Sequence, residues 1–388
     1  MPNTSSTETG RYLVLLGEDR TGADNKLAQL AQVRILHSAE EPGGLQVLGE
    51  QCAVVFDRIG VALLRCGSPA RQALQEASQA GDGTILAVEP EREVHACNDE
   101  GEALPQGGSW GVEALGATHS PLTGNGIRVA ILDTGLDLEH PDFTDRAVTH
   151  MSFIDGETVH DANGHGTHCA GIAAGRSRSQ GQARYGVASE AQLYIGKVLS
   201  NAGGGADGSV LQGIDWAVAN QCHIISLSLG GPVRPGERYS AVFEAVAQRA
   251  LEAGCLIVAA AGNESRRPEY VAPVAHPANC PSIFAVAAVN QDLAVAAFSN
   301  GGLHPDGGEV NLAAPGVDIP SAWPMPQRYR TLSGTSMATP FVAGVAALYA
   351  QEDSSLRGNS LGVRLVQSVR LIGQPAADVG AGLVQAPR

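Results

Sequence analysis

Ser336 stands in the turn Ser333-Gly334-Thr335-Ser336-Met337-Ala338-Thr339-Pro340, and an apolar run over residues 341–349 follows at once. Small polar residues leading into an apolar stretch read as a tight turn entering a buried helix. Pro340 falls in the first turn of that helix, where a missing N–H costs little. Ser336 is therefore expected at a helix N-terminus, beside unsatisfied N–H groups and the positive end of the helix dipole. A hydroxyl placed there can attack a carbonyl, because the oxyanion that forms finds donors nearby. Taken alone the same serine is also a plain N-cap, and only its company can separate the two readings.

That company lies upstream. Residues 127–132 are an apolar, β-branched strand ending in Asp133-Thr134-Gly135. Ligands bind at the carboxyl ends of strands in a parallel sheet, and Asp133 lies at such an end; alone it also reads as the cap of a turn. In Asn163-Gly164-His165-Gly166-Thr167-His168-Cys169-Ala170-Gly171 two glycines flank His165 and leave its imidazole uncrowded. The small residues after it suggest a closely packed helix. His165 and His168 are spaced as a metal pair can be, but no third ligand is evident and the glutamate of an HExxH pattern is missing, so no metal is assigned. Residues 224–229 and 256–261 are two further buried-strand patterns, running into Gly230-Gly231-Pro232 and Gly262-Asn263-Glu264. Asn263 would project an amide at the same sheet edge as Asp133. Gly203-Gly204-Gly205 is a stretch that another backbone can approach closely.

The elements that must position these groups are visible in the composition. The 388 residues suffice for one large or two ordinary domains. The chain is 44% hydrophobic but only 4% aromatic, with 48 glycines, so small aliphatic residues fill a core of helices packed closely on a parallel sheet. A net charge of −15 argues against nucleic acid and anionic membranes as partners. No apolar run approaches the roughly 20 residues that span a bilayer. The apolar stretch 12–16 is too short for a signal-peptide core, and seven cysteines, an odd number without CxxC spacing, read as free thiols. The expected location is cytoplasmic, or secreted if the first residue given is not the native start.

Residues 1–105 read as a small α+β domain. Strands are expected over 11–17, 52–56, 61–66 and 84–88, and helices over 24–31 and 69–80. This order makes a ferredoxin-like sandwich. Pro105-Gln106-Gly107-Gly108 reads as a linker, leaving 106–388 as the second domain. His37 and His95 read as solvated or structural.

Asp133-Thr134-Gly135, His165-Gly166-Thr167-His168, Gly262-Asn263 and Gly334-Thr335-Ser336-Met337-Ala338, in this order, resemble the four signatures of the subtilases, the subtilisin and proteinase K family of serine peptidases. The resemblance runs from about residue 109 to 388. It implies an α/β fold with a mostly parallel central sheet and helices on both faces, and a serine endopeptidase working through an acyl-enzyme. By resemblance Ser336 is the nucleophile, His165 moves its proton, Asp133 orients the imidazole, and Asn263 donates to the oxyanion with the Ser336 backbone N–H. Gly203, Gly204 and Gly205, with Ser228, Leu229 and Gly230, resemble the two edges between which a substrate strand lies. Residues 1–105 stand where subtilases carry a propeptide that is chaperone and inhibitor. The implied partners are thus protein or peptide substrates and the chain's own N-terminal domain, with residues 93–108 reaching the site and being cut there.

Departures from the family pattern bear on the finer expectations. Phe341 replaces a common histidine at a structural position. Arg176, Arg178 and Arg184 stand where secreted subtilisins hold a calcium loop, and Asn290 where an aspartate often binds calcium. No cofactor is expected, and calcium is left open. Arg128 occupies the position that would face Cys222 in a proteinase K-like disulfide. Cys169, about one helical turn past His165, is expected beneath the imidazole. Alignment on Gly213-Ile214-Asp215-Trp216 places Asp207 at the wall of the fourth substrate pocket, alignment on His276-Pro277 places Ala275 at the floor of the first, and Glu264 would stand at that pocket's rim. These residues suggest medium apolar or basic side chains in the first pocket and basic ones in the fourth. Two rival readings are a peptide ligase on the same scaffold, which would need an inserted lid, and a catalytically silent peptide-binding protein, which would have lost one of the three signature residues.

Overall fold

The computed structural model describes residues 10–40, 51–97, 110–176, 184–302 and 308–388. The linker expected at 105–108 and part of the arginine-bearing segment 175–185 lie outside them.

β1 (Arg11–Leu16), α1 (Arg20–Ala31), β2 (Arg34–His37), β3 (Cys52–Phe56), β4 (Val61–Arg65), α2 (Ser68–Gln79) and β5 (Ile85–Pro90) make up the first unit. Its sheet runs β2-β3-β4-β1-β5. Without the edge strand β2 this is the expected ferredoxin-like order. β2 has only four residues, too few for a periodicity, and pairs in parallel with β3. α1 begins four residues before the expected Asp24, because Asp19 accepts a hydrogen bond from Gly22 N at 3.1 Å and caps the helix earlier. β6 (Glu93–Ala96) follows β5 but joins other strands.

The larger unit reads α3 (Trp110–Ala114), β7 (Arg128–Asp133), β8 (Val148–Ser152), α4 (His165–Ala174), β9 (Gln192–Lys197), β10 (Gly204–Ala206), α5 (Asp207–Ala219), β11 (Ile224–Leu227), β12 (Leu229–Gly230), α6 (Ala241–Glu252), β13 (Leu256–Ala260), β14 (Phe284–Val289), β15 (Leu312–Pro315), β16 (Ile319–Ala322), β17 (Tyr329–Leu332), α7 (Thr335–Glu352), α8 (Asn359–Gln367) and α9 (Ala376–Val379). Seven strands form one sheet, β15-β14-β13-β11-β7-β9-β8, with every pair parallel. Helices flank it, so its central strands are apolar rather than alternating, as in β13, Leu-Ile-Val-Ala-Ala, while the edge strand β8, Val-Thr-His-Met-Ser, is partly exposed. The expected fold class is thus observed. α7 is buried from Thr335 to Ala350, and Phe341 within it meets Gly111 of α3, where a Cβ would come within 2.4 Å of the ring. No helix among the described residues is long and apolar enough to cross a membrane.

The first sheet is buried on both faces. Tyr12, Val14, Leu16, Ala62 and Leu64 form a core with Ala23 and Leu27 of α1 and Leu74 and Ala77 of α2. Their alternates Leu13, Leu15, Val54, Phe56, Val61 and Leu63 join the core of the larger unit. Leu63 reaches α5, where a Cβ on Gly208 would lie 2.5 Å from its methyl. Polar contacts rim this face. Arg249 of α6 donates to Leu16 O at 2.9 Å and Ile59 O at 2.5 Å, and Asp215 of α5 accepts from Arg58 N at 2.7 Å and Ser38 Oγ at 2.7 Å. Glu89 accepts from Ala241 N at 2.7 Å and Glu91 from Gly208 N at 3.0 Å, so carboxylates of the first unit sit at the N-termini of α6 and α5. Burying such side chains is worth about 1.5–3 kcal/mol each, and six of them exceed what a small domain can lose. Residues 1–97 made alone are therefore expected to lack near-UV dichroism and a cooperative urea transition. A sharp, two-state unfolding curve for that fragment would show that the sheet does not need its cover.

Candidate active site

In the parallel sheet Leu132 of β7 pairs with Leu227 of β11, and Leu227 with Ala259 of β13. The three strands therefore end in line, delivering Asp133, Ser228 and, through a short turn, Asn263 to one edge. α4 and α7 start at the same edge and bring His165 and Ser336. The four sequence-predicted residues meet there.

His165 Nδ1 lies 2.7 Å from Asp133 Oδ1, with both side chains at most 1% exposed. Asp133 Oδ1 also accepts from Thr134 N at 2.7 Å. Gly164 directs the chain into α4 with φ 104°, and a Cβ there would stand 2.4 Å from the Trp323 ring, so only glycine fits before His165. Ser336 Oγ donates to Ser228 O at 2.8 Å, and Ser228 Oγ donates to Ser336 O at 2.9 Å. Asn263 Oδ1 accepts from Thr335 N at 3.0 Å and from Thr335 Oγ1 at 2.8 Å. These bonds fix the amide with its oxygen occupied and its Nδ2 uncommitted. Among the described residues, the buried atoms His165 Nε2, Asn263 Nδ2 and Asp133 Oδ2 have no hydrogen-bond partner. Buried polar groups are nearly always paired, so this cluster marks where a reacting group belongs.

Burial opposes charge on His165, but the adjoining Asp133 carboxylate outweighs it and holds the imidazole well above the ordinary histidine value. His168 is the opposite case. Its Nε2 lies 3.1 Å from Ile319 O and 3.0 Å from Arg330 O, and burial, with His165 nearby, pushes it down to about 3. It is a neutral structural donor and shares no ligand position with His165.

Three positioning residues went unnoticed in the sequence. Asp161 Oδ1 accepts from Thr134 Oγ1 at 2.9 Å and Gly164 N at 2.8 Å, while Oδ2 accepts from Thr167 N at 2.8 Å and Thr167 Oγ1 at 2.7 Å. It ties the Asp133 turn to the start of α4. Its signal was the Asp-Ala-Asn-Gly turn chemistry. Fully buried Lys197 donates to Thr134 O and to Asn201 Oδ1 at 2.9 Å, and pairs with Glu157 at 3.2 Å. A lysine closing a strand carries no such signal, nor does Thr335.

β6 lies between β10 and β12 in a three-stranded antiparallel sheet. Gly204 pairs with His95, Gly205 with Val94, Leu229 with Ala96, and Gly230 with His95. Ala96 N donates to Gly203 O at 3.0 Å and Cys97 N to Ser228 O at 3.4 Å. All six edge residues named from the sequence thus touch residues 93–97. A Cβ on Gly230 would lie 3.3 Å from the Ala275 methyl and 3.6 Å from Cys97 Sγ. Asp207 is not presented to a side-chain pocket. Its Oδ1 is 2.9 Å from His276 Nε2 and its Oδ2 accepts from Arg92 N at 3.0 Å. Glu264 is likewise engaged, by Asn300 Nδ2 at 2.5 Å.

Cys169 Sγ lies 3.9 Å from His165 Nδ1 and 3.6 Å from Ser336 O, as its spacing predicts. Asp133, His165 and Cys169 present possible ligand atoms within 4.8 Å of one another. Burial raises the thiol above its usual range, which makes it a poor nucleophile but leaves it a soft metal ligand. Small mercurials are expected to abolish activity by displacing the imidazole, and Cys169→Ala to remain active and resistant. Titrating both proteins against methylmercury checks this; equal sensitivity would move the vulnerable thiol elsewhere.

Sequence comparison agrees with the geometry. The profile of the Subtilase family matches residues 124–382. A thermostable alkaline protease of Halalkalibacterium halodurans is 36% identical over 391 residues, covering 100% of this chain and 94% of that protein. Subtilisin Savinase of Lederbergia lenta is 39% identical over 281 residues, 71% of this chain and 96% of its own, and subtilisin E of Bacillus subtilis 36% over 305 residues, 78% and 74%. With that profile spanning most of the chain and such relatives on either side of it, the protein belongs to the subtilase family of subtilisin-like serine endopeptidases.

Proposed function

We propose that Asp133, His165 and Ser336 act as an acyl-transfer triad, and that the chain is a self-processing proenzyme whose first cut follows Cys97. Residues 1–97 would be its propeptide. The observation that carries this reading is the seating of β6 between β10 and β12, with Cys97 N and Ser336 Oγ both donating to Ser228 O. Shared use of one carbonyl brings the Cys97 peptide beside the hydroxyl. The thiol of Cys97 then occupies the first pocket, near Ala275 and Gly230.

In the proposed reaction the Ser336 hydroxyl turns from Ser228 O to His165 Nε2, gives up its proton and attacks the carbonyl. Asp133 stabilises the imidazolium that forms. Asn263 Nδ2 and the Ser336 backbone N–H donate to the oxyanion. Collapse breaks the C–N bond, and the leaving amine takes the proton from His165. Water, deprotonated by the same nitrogen, then releases the acyl group and restores the serine. The cleaved strand stays paired on both sides, so the first unit serves as an inhibitor until it leaves. All seven cysteines are free, which supports a reducing, cytoplasmic setting.

Ser336→Ala is expected to remain one band near the full 39.9 kDa, while the wild type yields a fragment beginning at Asn98. Terminal sequencing checks this, and identical banding of the two proteins would remove self-processing. A second expectation concerns pH. His165 must be neutral to accept the proton, so activity is lost as pH falls through its raised pKa. Fluorophosphonate labelling of Ser336 should therefore decline on an acid limb above about pH 6.5, the ordinary histidine value. Asp133→Asn removes the group that raises it most and leaves burial opposed only by Cys169, moving the limb to lower pH and slowing labelling about 10⁴-fold. An unmoved limb would assign the titration to another group.

A further inference from the structure

We propose that Asp207 is a main-chain recognition residue for the sixth amino acid before the cleaved bond, and that His276 positions it. This rests on reading residues 93–97 as the substrate path. Counting back from Cys97, the sixth residue is Arg92. Asp207 N donates to Arg92 O at 3.0 Å, and Arg92 N donates to Asp207 Oδ2 at 3.0 Å. One residue thus takes both main-chain groups of its partner, as a residue in an antiparallel ladder would.

The reason for a carboxylate lies in the turn of the chain at this point. β10 ends at Ala206, and Asp207 is the first residue of α5. A strand would offer Arg92 N a main-chain carbonyl, but the carbonyl of Asp207 is directed along the helix. The side chain takes its place and carries recognition one step beyond the end of the strand. A carboxylate acceptor makes this bond stronger than the neutral ladder bonds it extends.

His276 holds that carboxylate in place. Its Nε2 is 2.9 Å from Asp207 Oδ1, and its ring packs edge-on against Phe243 at 4.6 Å between centroids. Both His276 and Asp207 are about 1% exposed, and His276 Nδ1 has no hydrogen-bond partner. Nε2 is therefore the ring nitrogen that donates, to Asp207 Oδ1. The side chain at the sixth position contributes little. Arg92 Nη1 is 3.3 Å from Glu237 Oε1, but both groups are about a third exposed and the pair is screened. The site accordingly selects for length and for a free N–H, and disfavours proline or an N-alkylated residue. The fourth residue, Val94, is fully buried, so the acidic group read from the sequence as tuning the fourth pocket acts two residues further upstream.

The test uses enzyme processed from the full chain and chromogenic peptides with five residues before the cleaved bond, or six with either a free or a methylated amide at the sixth. In the wild type, methylation is expected to lower kcat/KM about 10-fold, toward the value of the five-residue peptide, which also lacks the carbonyl that Asp207 N bonds. The ratio between the free and methylated peptides should fall to about one in Asp207→Ala and to an intermediate value in His276→Phe. If Asp207→Ala does not fold, the wild-type ratio decides by itself. Equal wild-type rates for the two six-residue peptides would overturn the clamp and leave the groove reading standing, since the peptides are still cut. If no peptide is cut and Ser336 takes no fluorophosphonate, the groove reading and the clamp fall together.

Discussion

A carboxylate and an imidazole 2.7 Å apart in an interior closed to water are costly to assemble, and much of this structure is arranged to hold them. Neither partner belongs to the other's element. Asp133 comes from the end of a central strand and His165 from the start of a helix, so their distance depends on how α4 meets the sheet. Asp161 sets that meeting by bonding both the Thr134 hydroxyl and the amides of Gly164 and Thr167. Lys197 holds the Thr134 carbonyl from below. With Asp133 Oδ1 and His165 Nδ1 bonded to each other, the pair keeps one orientation, and Nε2 is left as the atom with work to do.

The second constraint is the edge of a sheet. β10 and β12 leave a gap one strand wide, and an extended chain between them completes two ladders at once. Such a gap is an aggregation hazard unless something fills it. Here β6 does, and it belongs to a unit whose own sheet packs its apolar face on α5 and α6. On the proposed reading, folding and inhibition are one arrangement: the strand that blocks the groove also anchors the unit that packs on the helices, and each needs the other.

The sheet core, the four motif residues and both groove edges were legible because each rests on a local pattern: an apolar run, a glycine turn, a helix start. Gly164 and Gly262 directly precede His165 and Asn263, and both have left-handed φ angles, 104° and 106°. What stayed hidden depends on contacts between distant segments. β2 is too short to show a period. Lys197 closes a strand with no local signal, and only its contacts with Thr134 and Glu157 show what it holds. The engagement of Asp207 is hidden too, because no pattern along the chain shows that His276, far downstream, takes one of its oxygens.

The two units share their polar interface reciprocally, but the apolar part makes their separation asymmetric. Glu89 and Glu91 serve amides of α6 and α5, while Asp215 and Asp207 serve amides of the first unit. Once apart, each of these amides and carboxylates can bond to water instead, so this part of the interface costs little to open. The apolar part has no such substitute. Leu13, Leu15, Val54, Phe56, Val61 and Leu63 would face solvent on the first sheet, whereas the larger unit keeps its seven-stranded core between helices. Dissociation therefore favours unfolding of the smaller partner, which turns a reversible dock into a one-way release whenever something consumes the unfolded chain.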